Sequence, residues 1–240
     1  HKQVVLGGPG KNIKLWDTVA GEQTNLIKKH PDWMLCAAYS PDGVLFATGG
    51  RNADLYIWEG GTGFEFYTMK GHTAAVTGLA WRGDSNLLAS CSLDGQVILW
   101  EMTEGKEVKK WNAHGGGTQS VDFAPDGRLV TGGRDKTVKI WTADGQQQRA
   151  INASDDYVMS VVFTQDSKRV ISGDYNGKVT VWNAEDGAKL AELDSNPPTI
   201  DRQLAYSQQR ITELTTNLPK MEEAIKAAGA KLADSRTKFE

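Results

Sequence analysis

The sequence is short of several residue types, and each shortage closes off a class of protein. It has 2 cysteines, 4 histidines and 7 prolines in 240 residues. Two cysteines cannot furnish a cysteine-rich zinc site, and no C-x-x-C-H haem attachment motif is present. Cys36 and Cys91 both sit in apolar, strand-like runs, where a thiol acts as a small core hydrophobe instead of half a disulfide. Long apolar stretches are lacking too. The longest, residues 33–39, is far too short to cross a bilayer, so no direct membrane span is expected. His1-Lys2-Gln3 passes at once into a strand-like run, without the n- and h-regions of a signal peptide. With 27 basic against 30 acidic residues the net charge is -3, which lacks the basic excess that draws nucleic acid. No nucleic-acid partner is expected on that ground.

Catalytic signatures are equally scarce. There is no G-x-S-x-G, P-loop, H-E-x-x-H or dinucleotide fingerprint. Gly7-Gly8-Pro9-Gly10-Lys11 has a phosphate-loop look but lacks the terminal serine or threonine and the following helix. Gly115-Gly116-Gly117 reads as a flexible loop. Asp155-Asp156 offers two carboxylates where calcium needs six to eight oxygen ligands. Neither a cofactor nor a metal is expected.

Glycine, by contrast, is abundant at 26 residues, and the composition is that of a globular chain: 39% apolar, 8% aromatic, 24% charged. The dominant feature is a repeat. Trp16, Trp58, Trp100, Trp141 and Trp182 are spaced 42, 42, 41 and 41 residues apart. Each closes a short alternating run: NIKLW, DLYIW, QVILW, TVKIW and KVTVW. Alternation marks a strand with two different faces. A second strand ending in small residues precedes each run (LFATGG, LLASCS), and in four repeats a third precedes that (WMLCAAYS, AVTGLAWR). Turns such as Pro41-Asp42-Gly43 separate them, and a more polar fourth strand follows each tryptophan. Four antiparallel strands per period make a blade. One blade cannot bury both faces, and stacking blades about an axis solves that.

These residues resemble the WD-repeat family of β-propellers. Residues 71–101 follow the family pattern almost throughout, and the resemblance covers residues 3 to 193. It implies an all-β propeller with a structural tetrad of histidine, serine or threonine, aspartate and tryptophan. The tetrad maps onto His72, Ser90, Asp94 and Trp100, and again onto His114, Thr131, Asp135 and Trp141. The repeat ending at Trp58 has His30 and Thr48, with Asn52 for the aspartate. The last has Ser154, Ser172, Asn176 and Trp182, and in the first only Trp16 remains, with Leu6 and Gly10 at the serine and aspartate positions. Serine, histidine and aspartate together also look like a hydrolase triad. Their recurrence in register in two blades suits architecture instead. Nineteen strands are counted, because the first blade lacks its first strand. Since the family usually closes with seven blades, the chain is expected to be part of a longer protein, the alternative being a small five-bladed ring with an incomplete first blade.

Residues 195–240 change character. Ser195-Asn196-Pro197-Pro198-Thr199 reads as a stop and a helix start. Leu204, Ile211, Leu214, Leu218, Met221, Ile225 and Leu232 then recur at heptad-like spacing, as in a coiled coil. Pro219 predicts a kink or a junction of two helices there. The division is therefore 1–194, propeller blades, and 195–240, helical tail.

In the family, partners are bound through loops on one rim, at the third residue past the tetrad histidine and the residue before the tetrad aspartate. The first set is Trp33, Ala75, Gly117 and Tyr157, and the second is Arg51, Leu93, Arg134 and Tyr175. Arginine and aromatic residues dominate binding hot spots. Trp33, Arg51, Arg134, Tyr157 and Tyr175 are thus expected to contact other protein subunits, with the tail docking or oligomerising. The leading expectation is a non-enzymatic scaffold. A second is an accessory region of a bacterial, periplasmic, c-type-cytochrome-associated protein, from a weak likeness in the order of propeller, Asn196-Pro197-Pro198 and tail. A third is a propeller enzyme or carbohydrate-binding module, for which no carboxylate cluster is legible. The SPDG-type repeats look bacterial. The compartment, cytoplasm or periplasm, is not legible.

Overall fold

A computed structural model of the chain describes residues 3–28, 30–193, 204–219, 221 and 226. The chain divides into two compact units, His1–Leu193 and Asp194–Glu240.

The first unit is built entirely from antiparallel sheets joined in chain order. Blade one has three strands, β1 (Gln3–Leu6), β2 (Ile13–Asp17) and β3 (Glu22–Ile27). Blade two has four, β4 (Met34–Tyr39), β5 (Leu45–Gly50), β6 (Leu55–Glu59) and β7 (Glu65–Met69). Blade three runs β8 (Val76–Trp81), β9 (Leu87–Ser92), β10 (Gln96–Glu101) and β11 (Glu107–Asn112). Blade four runs β12 (Thr118–Phe123), β13 (Leu129–Gly133), β14 (Thr137–Trp141) and β15 (Gln147–Asn152). Blade five runs β16 (Val158–Phe163), β17 (Arg169–Asp174), β18 (Val179–Asn183) and β19 (Lys189–Leu193). Among the described residues the expected nineteen strands and the blade architecture are both present.

The cores lie between blades. Ile13, Leu15 and Ile27 of blade one meet Phe46, Tyr56 and Trp58 of blade two. Val130, Val138, Ile140 and Ile151 of blade four meet Val158, Val161, Phe163, Val170 and Trp182 of blade five in the same way. Each joint from blade two onward thus receives the repeat tryptophan of the later blade. The first strands also touch one another in series, β4 with β8, β8 with β12 and β12 with β16. Because middle strands are covered on both faces, β9 and β10 are almost wholly buried, and their sequences LLASCS and QVILWE are near-continuously apolar or small. Outer strands face solvent: β11 is mostly polar, and β19 is exposed along its length with Leu190 and Leu193 uncovered.

Two irregularities recur in register. The pairing of third and fourth strands shifts at the tryptophan in all five blades, at Leu15/Trp16, Ile57/Trp58, Leu99/Trp100, Ile140/Trp141 and Val181/Trp182. The pairing of first and second strands shifts near the start of each first strand, for example between Val76 and Gly78. Such bulges sharpen local twist, which a fanned arrangement of short sheets needs.

In the second unit, residues 204–219 form a helix, α1, and Met221 and Lys226 are also helical. Leu204, Ile211, Leu214, Leu218 and Met221 are all exposed. Leu218 and Pro219 are the last two residues of α1, and the kink or junction expected near Pro219 borders residue 220, which lies outside the described residues. Ile225, Leu232 and the Thr199 helix start lie outside the described residues. No described helix is long and apolar enough to cross a membrane.

Candidate functional site

The predicted tetrads are hydrogen-bonded chains. In blade three the Trp100 indole N–H donates to Ser90 Oγ at 2.8 Å. Ser90 Oγ lies 2.8 Å from His72 Nε2, and His72 Nδ1 lies 3.0 Å from Asp94 Oδ2. Blade four repeats this, with Trp141 to Thr131 at 2.8 Å, Thr131 to His114 at 2.7 Å and His114 to Asp135 at 2.7 Å. The carboxylate is ionised and acts only as an acceptor. With the imidazole neutral, Nδ1–H donates to the carboxylate and Nε2 accepts from the hydroxyl, whose lone pair accepts from the indole. Burial pulls both histidines below the ordinary imidazole value, which agrees. Burial pushes Asp135 upward, but donors from Thr137 and His114 outweigh it and bring the carboxyl to about 2. Asp94 is likewise lowered: burial is outweighed by the Thr73 and Gln96 backbone N–H groups and by His72.

The aspartate-histidine-hydroxyl connectivity is that of a hydrolase, but Ser90 and Thr131 are 0% exposed. A substrate carbonyl does not reach either hydroxyl. What the chain of bonds does is tie four pieces of backbone together: the loop entering a blade, its second strand, the turn before its third strand, and the third strand itself.

The other blades depart in instructive ways. In blade two Trp58 still donates to Thr48 at 2.8 Å, but His30 turns its Nδ1 to the Asp32 carbonyl at 2.6 Å. With Asn52 in place of aspartate there is no carboxylate to orient the ring. His30 Nε2 is buried without a partner among the described residues. In blade five Trp182 donates to Ser172 at 2.8 Å, and the carboxylate comes from Asp174, which accepts from the Ser154 hydroxyl, while Asn176 holds the position the sequence alignment gave it. In blade one Leu6, opposite Lys14, holds the register place of the serine, and the buried N–H of the Trp16 indole has no partner among the described residues.

The aspartate turns need a particular backbone. The residue after each aspartate position is left-handed: Ala53 (φ 69), Gly95 (φ 85), Lys136 (φ 67) and Gly177 (φ 82). This aims the carbonyl of that residue at the next blade. Gly95 accepts from Ala113 and His114 at 2.8 and 3.1 Å, and Lys136 from Ala153 and Ser154 at 3.1 and 3.3 Å. These two turns therefore seat the loops that open blades four and five.

The rim positions share one geometry. The residue before the aspartate position donates its backbone N–H to the carbonyl of the third residue past the histidine position in four blades. The pairs are Arg51 to Trp33, Leu93 to Ala75 and Arg134 to Gly117, each at 3.0 Å, and Tyr175 to Tyr157 at 2.9 Å. Side chains at these positions stand on rigid, adjacent backbone. Trp33 is 43%, Tyr157 41% and Tyr175 70% exposed. The Arg51 guanidinium lies 5.4 Å from the Trp33 ring centre, and that of Arg134 lies 5.7 Å from Tyr157 across the joint of blades four and five. Two arginine-aromatic stacks result, each a flat cationic and apolar surface. Sequence reasoning missed Asp32 and Asp156, whose carboxylates accept the N–H of the next residue, Trp33 and Tyr157, at 2.8 and 2.7 Å. The repeated aspartate-aromatic pair was the available signal. No group of histidine, cysteine and carboxylate side chains among the described residues is arranged to hold a metal ion.

A family model described as WD domain, G-beta repeat matches residues 21–59, 63–101, 105–142 and 145–183. The chain belongs to the WD40-repeat family. Each matched WD40 segment begins at or just before the outer strand of one blade and runs to the tryptophan strand of the next, so a sequence repeat straddles a joint. Among curated proteins, the chain is 27% identical over 111 residues to DDB1- and CUL4-associated factor 13 of Dictyostelium discoideum, covering 45% of this chain and 24% of that one. It is 33% identical over 78 residues to Autophagy-related protein 16 of Arabidopsis thaliana, covering 32% and 15%. Among solved structures, U3-55K matches with a TM-score of 0.76 at 25% identity, over 83% of this chain and 64% of that one. The RRP9 WD40 repeats match with a TM-score of 0.76 at 27% identity, over 80% and 60%. The chain spans less than two thirds of each of these relatives.

Proposed function

We propose that this WD40 chain is a non-enzymatic scaffold that binds other proteins through the rim carrying the aspartate turns. The observation that supports it is the pair of arginine-aromatic stacks, Arg51 on Trp33 and Arg134 on Tyr157, set beside exposed Tyr175 on hydrogen-bonded backbone. Rigid aromatics lose little conformational entropy on binding, and arginine adds directional donors, which is the chemistry of interface hot spots. The tetrads serve this role indirectly, by fixing the loops from which those side chains project. A chain altered at Trp33, Arg51, Tyr157 and Tyr175 to alanine should lose the proteins that the unaltered chain retains from native extracts, with an unchanged melting curve. Retention of the same proteins would refute the rim assignment.

The tail belongs to the same reading. Leu204, Ile211, Leu214 and Leu218 on α1 leave an apolar seam exposed, which suits docking or self-association as a coiled coil. Sedimentation of the chain with these four residues changed to serine tests it: loss of a larger species supports assembly, and an unchanged mass argues against it. The relatives named above are eukaryotic, and they lend no support to a bacterial origin or to the redox-accessory alternative.

A further inference from the structure

A second surface lies at the opposite end of the strands from the aspartate turns. Arg128 follows the turn between β12 and β13, Lys168 and Arg169 follow the turn between β16 and β17, and Arg149 lies in β15. These four cations line one cleft of about 980 Å³ between blades four and five, together with Glu185 and Leu190. Arg128 is fixed in place. Its guanidinium bonds the Asp126 carboxylate at 2.7 Å and the Ser167 carbonyl at 2.6 Å, and lies 5.5 Å from the centre of the Phe163 ring. Arg149, Lys168 and Arg169 make no ion pair among the described residues. Asp166, on the turn beside them, attracts Lys168 and Arg169 at longer range, but its carboxylate is held by the Thr164 hydroxyl and the Lys168 backbone N–H.

Three cations without ion pairs converge here on a single lining carboxylate, in a chain whose net charge is -3. We infer that this cleft binds an acidic peptide segment of a partner protein, independently of the rim. Charge complementarity selects the anion. Leu190, 51% exposed on one wall, offers an apolar contact that a peptide side chain uses. The volume is at the upper end of ligand pockets, which run to about 1,000 Å³, and so accommodates several side chains at once. Single-stranded nucleic acid is the poorer fit, because it relies on exposed aromatic rings for base stacking and the lining has none. The nearest ring, Phe163, is 7% exposed and covered by Arg128.

The test measures binding of three labelled probes to the full 240-residue chain: a short glutamate-rich peptide containing leucine, its phosphoserine counterpart, and a short oligouridylate. At least one peptide should bind, weaken at least about tenfold in the R149E/R169E variant, and weaken with added salt. The R51E variant, altered on the opposite rim, should bind as the unaltered chain does, even if it has lost rim partners. The tighter of the two peptides identifies carboxylate or phosphate as the anion. Failure of both peptides to bind, binding indifferent to charge reversal, or tighter binding of the oligouridylate overturns the inference. If R149E/R169E fails to fold, as read by its melting curve, R149Q and K168A provide the same comparison.

Discussion

Two buried imidazoles in neighbouring blades give a sharp test of what the tetrad contributes. His72 is 8% exposed and His30 3%, so truncating either to alanine removes the same ring from a comparably buried site. The transfer and cavity costs should therefore nearly cancel in the comparison. The bonds do not cancel. His72→Ala deletes a donor to the ionised Asp94, which is worth about 1.5–3 kcal/mol, and takes from the Ser90 hydroxyl its short acceptor, leaving only the Ile98 carbonyl at 3.4 Å, worth up to about 1 kcal/mol more. Asp94 keeps the Thr73 and Gln96 N–H groups, so the lower part of the first range applies. His30→Ala deletes one bond to a backbone carbonyl, about 1 kcal/mol, and removes a nitrogen that already lacks a partner. The difference is about 2 kcal/mol. A domain of this size shifts its Tm by roughly 2–4 °C per kcal/mol, so H72A should melt about 4–8 °C below H30A. Calorimetry of the two variants under one buffer reads this directly. Equal melting temperatures, or a lower one for H30A, would refute the view that connected bonds, and not mere burial, make the tetrad stabilising.

Two further outcomes follow from the same chemistry. Leu6→Thr places an acceptor where blades two to five hold serine or threonine, so it should satisfy the buried Trp16 N–H and raise stability by about 1 kcal/mol, read as a higher urea midpoint. A fall would show that the indole is already served. Stability should also drop with acid. Burial holds His72, His114 and His30 below their ordinary value of 6.5 in the folded chain, so below that pH the unfolded chain binds more protons. Each contributes a loss of up to about 1.4 kcal/mol per pH unit as pH falls from 6.5 toward its folded value. Asp135, lowered to about 2 from 3.8, adds a loss of the same sign below about pH 4. Urea unfolding at a series of pH values tests this, and a flat profile from pH 7.5 to 5 would contradict it.

Much of the fold was legible because local pattern and global packing agree. The tryptophan period encodes the blades, since the indoles of Trp58, Trp100, Trp141 and Trp182 each stand near a strand end and fill an inter-blade joint. The bulges at those tryptophans were not legible, because a register shift leaves no mark on alternation. Asn176 was aligned to the aspartate position by spacing alone, whereas Asp174 lies nearer the Ser154 hydroxyl once histidine is absent. A serine side chain is too short to reach the place an imidazole spans. The backbone link between paired rim positions was also hidden, although it explains why those positions behave alike. The basic cleft escaped notice because Arg128, Arg149 and Lys168 come from three separate turns and strands and carry no shared motif.

The central claim is that proteins dock on the rim of the aspartate turns. Hydrogen exchange of the chain, alone and with a retained partner bound, tests it most directly. Slowed exchange should fall on residues 32–34, 51–53, 134–136, 155–158 and 175–177. Protection confined to α1, or to the solvent-facing outer strands, would contradict it.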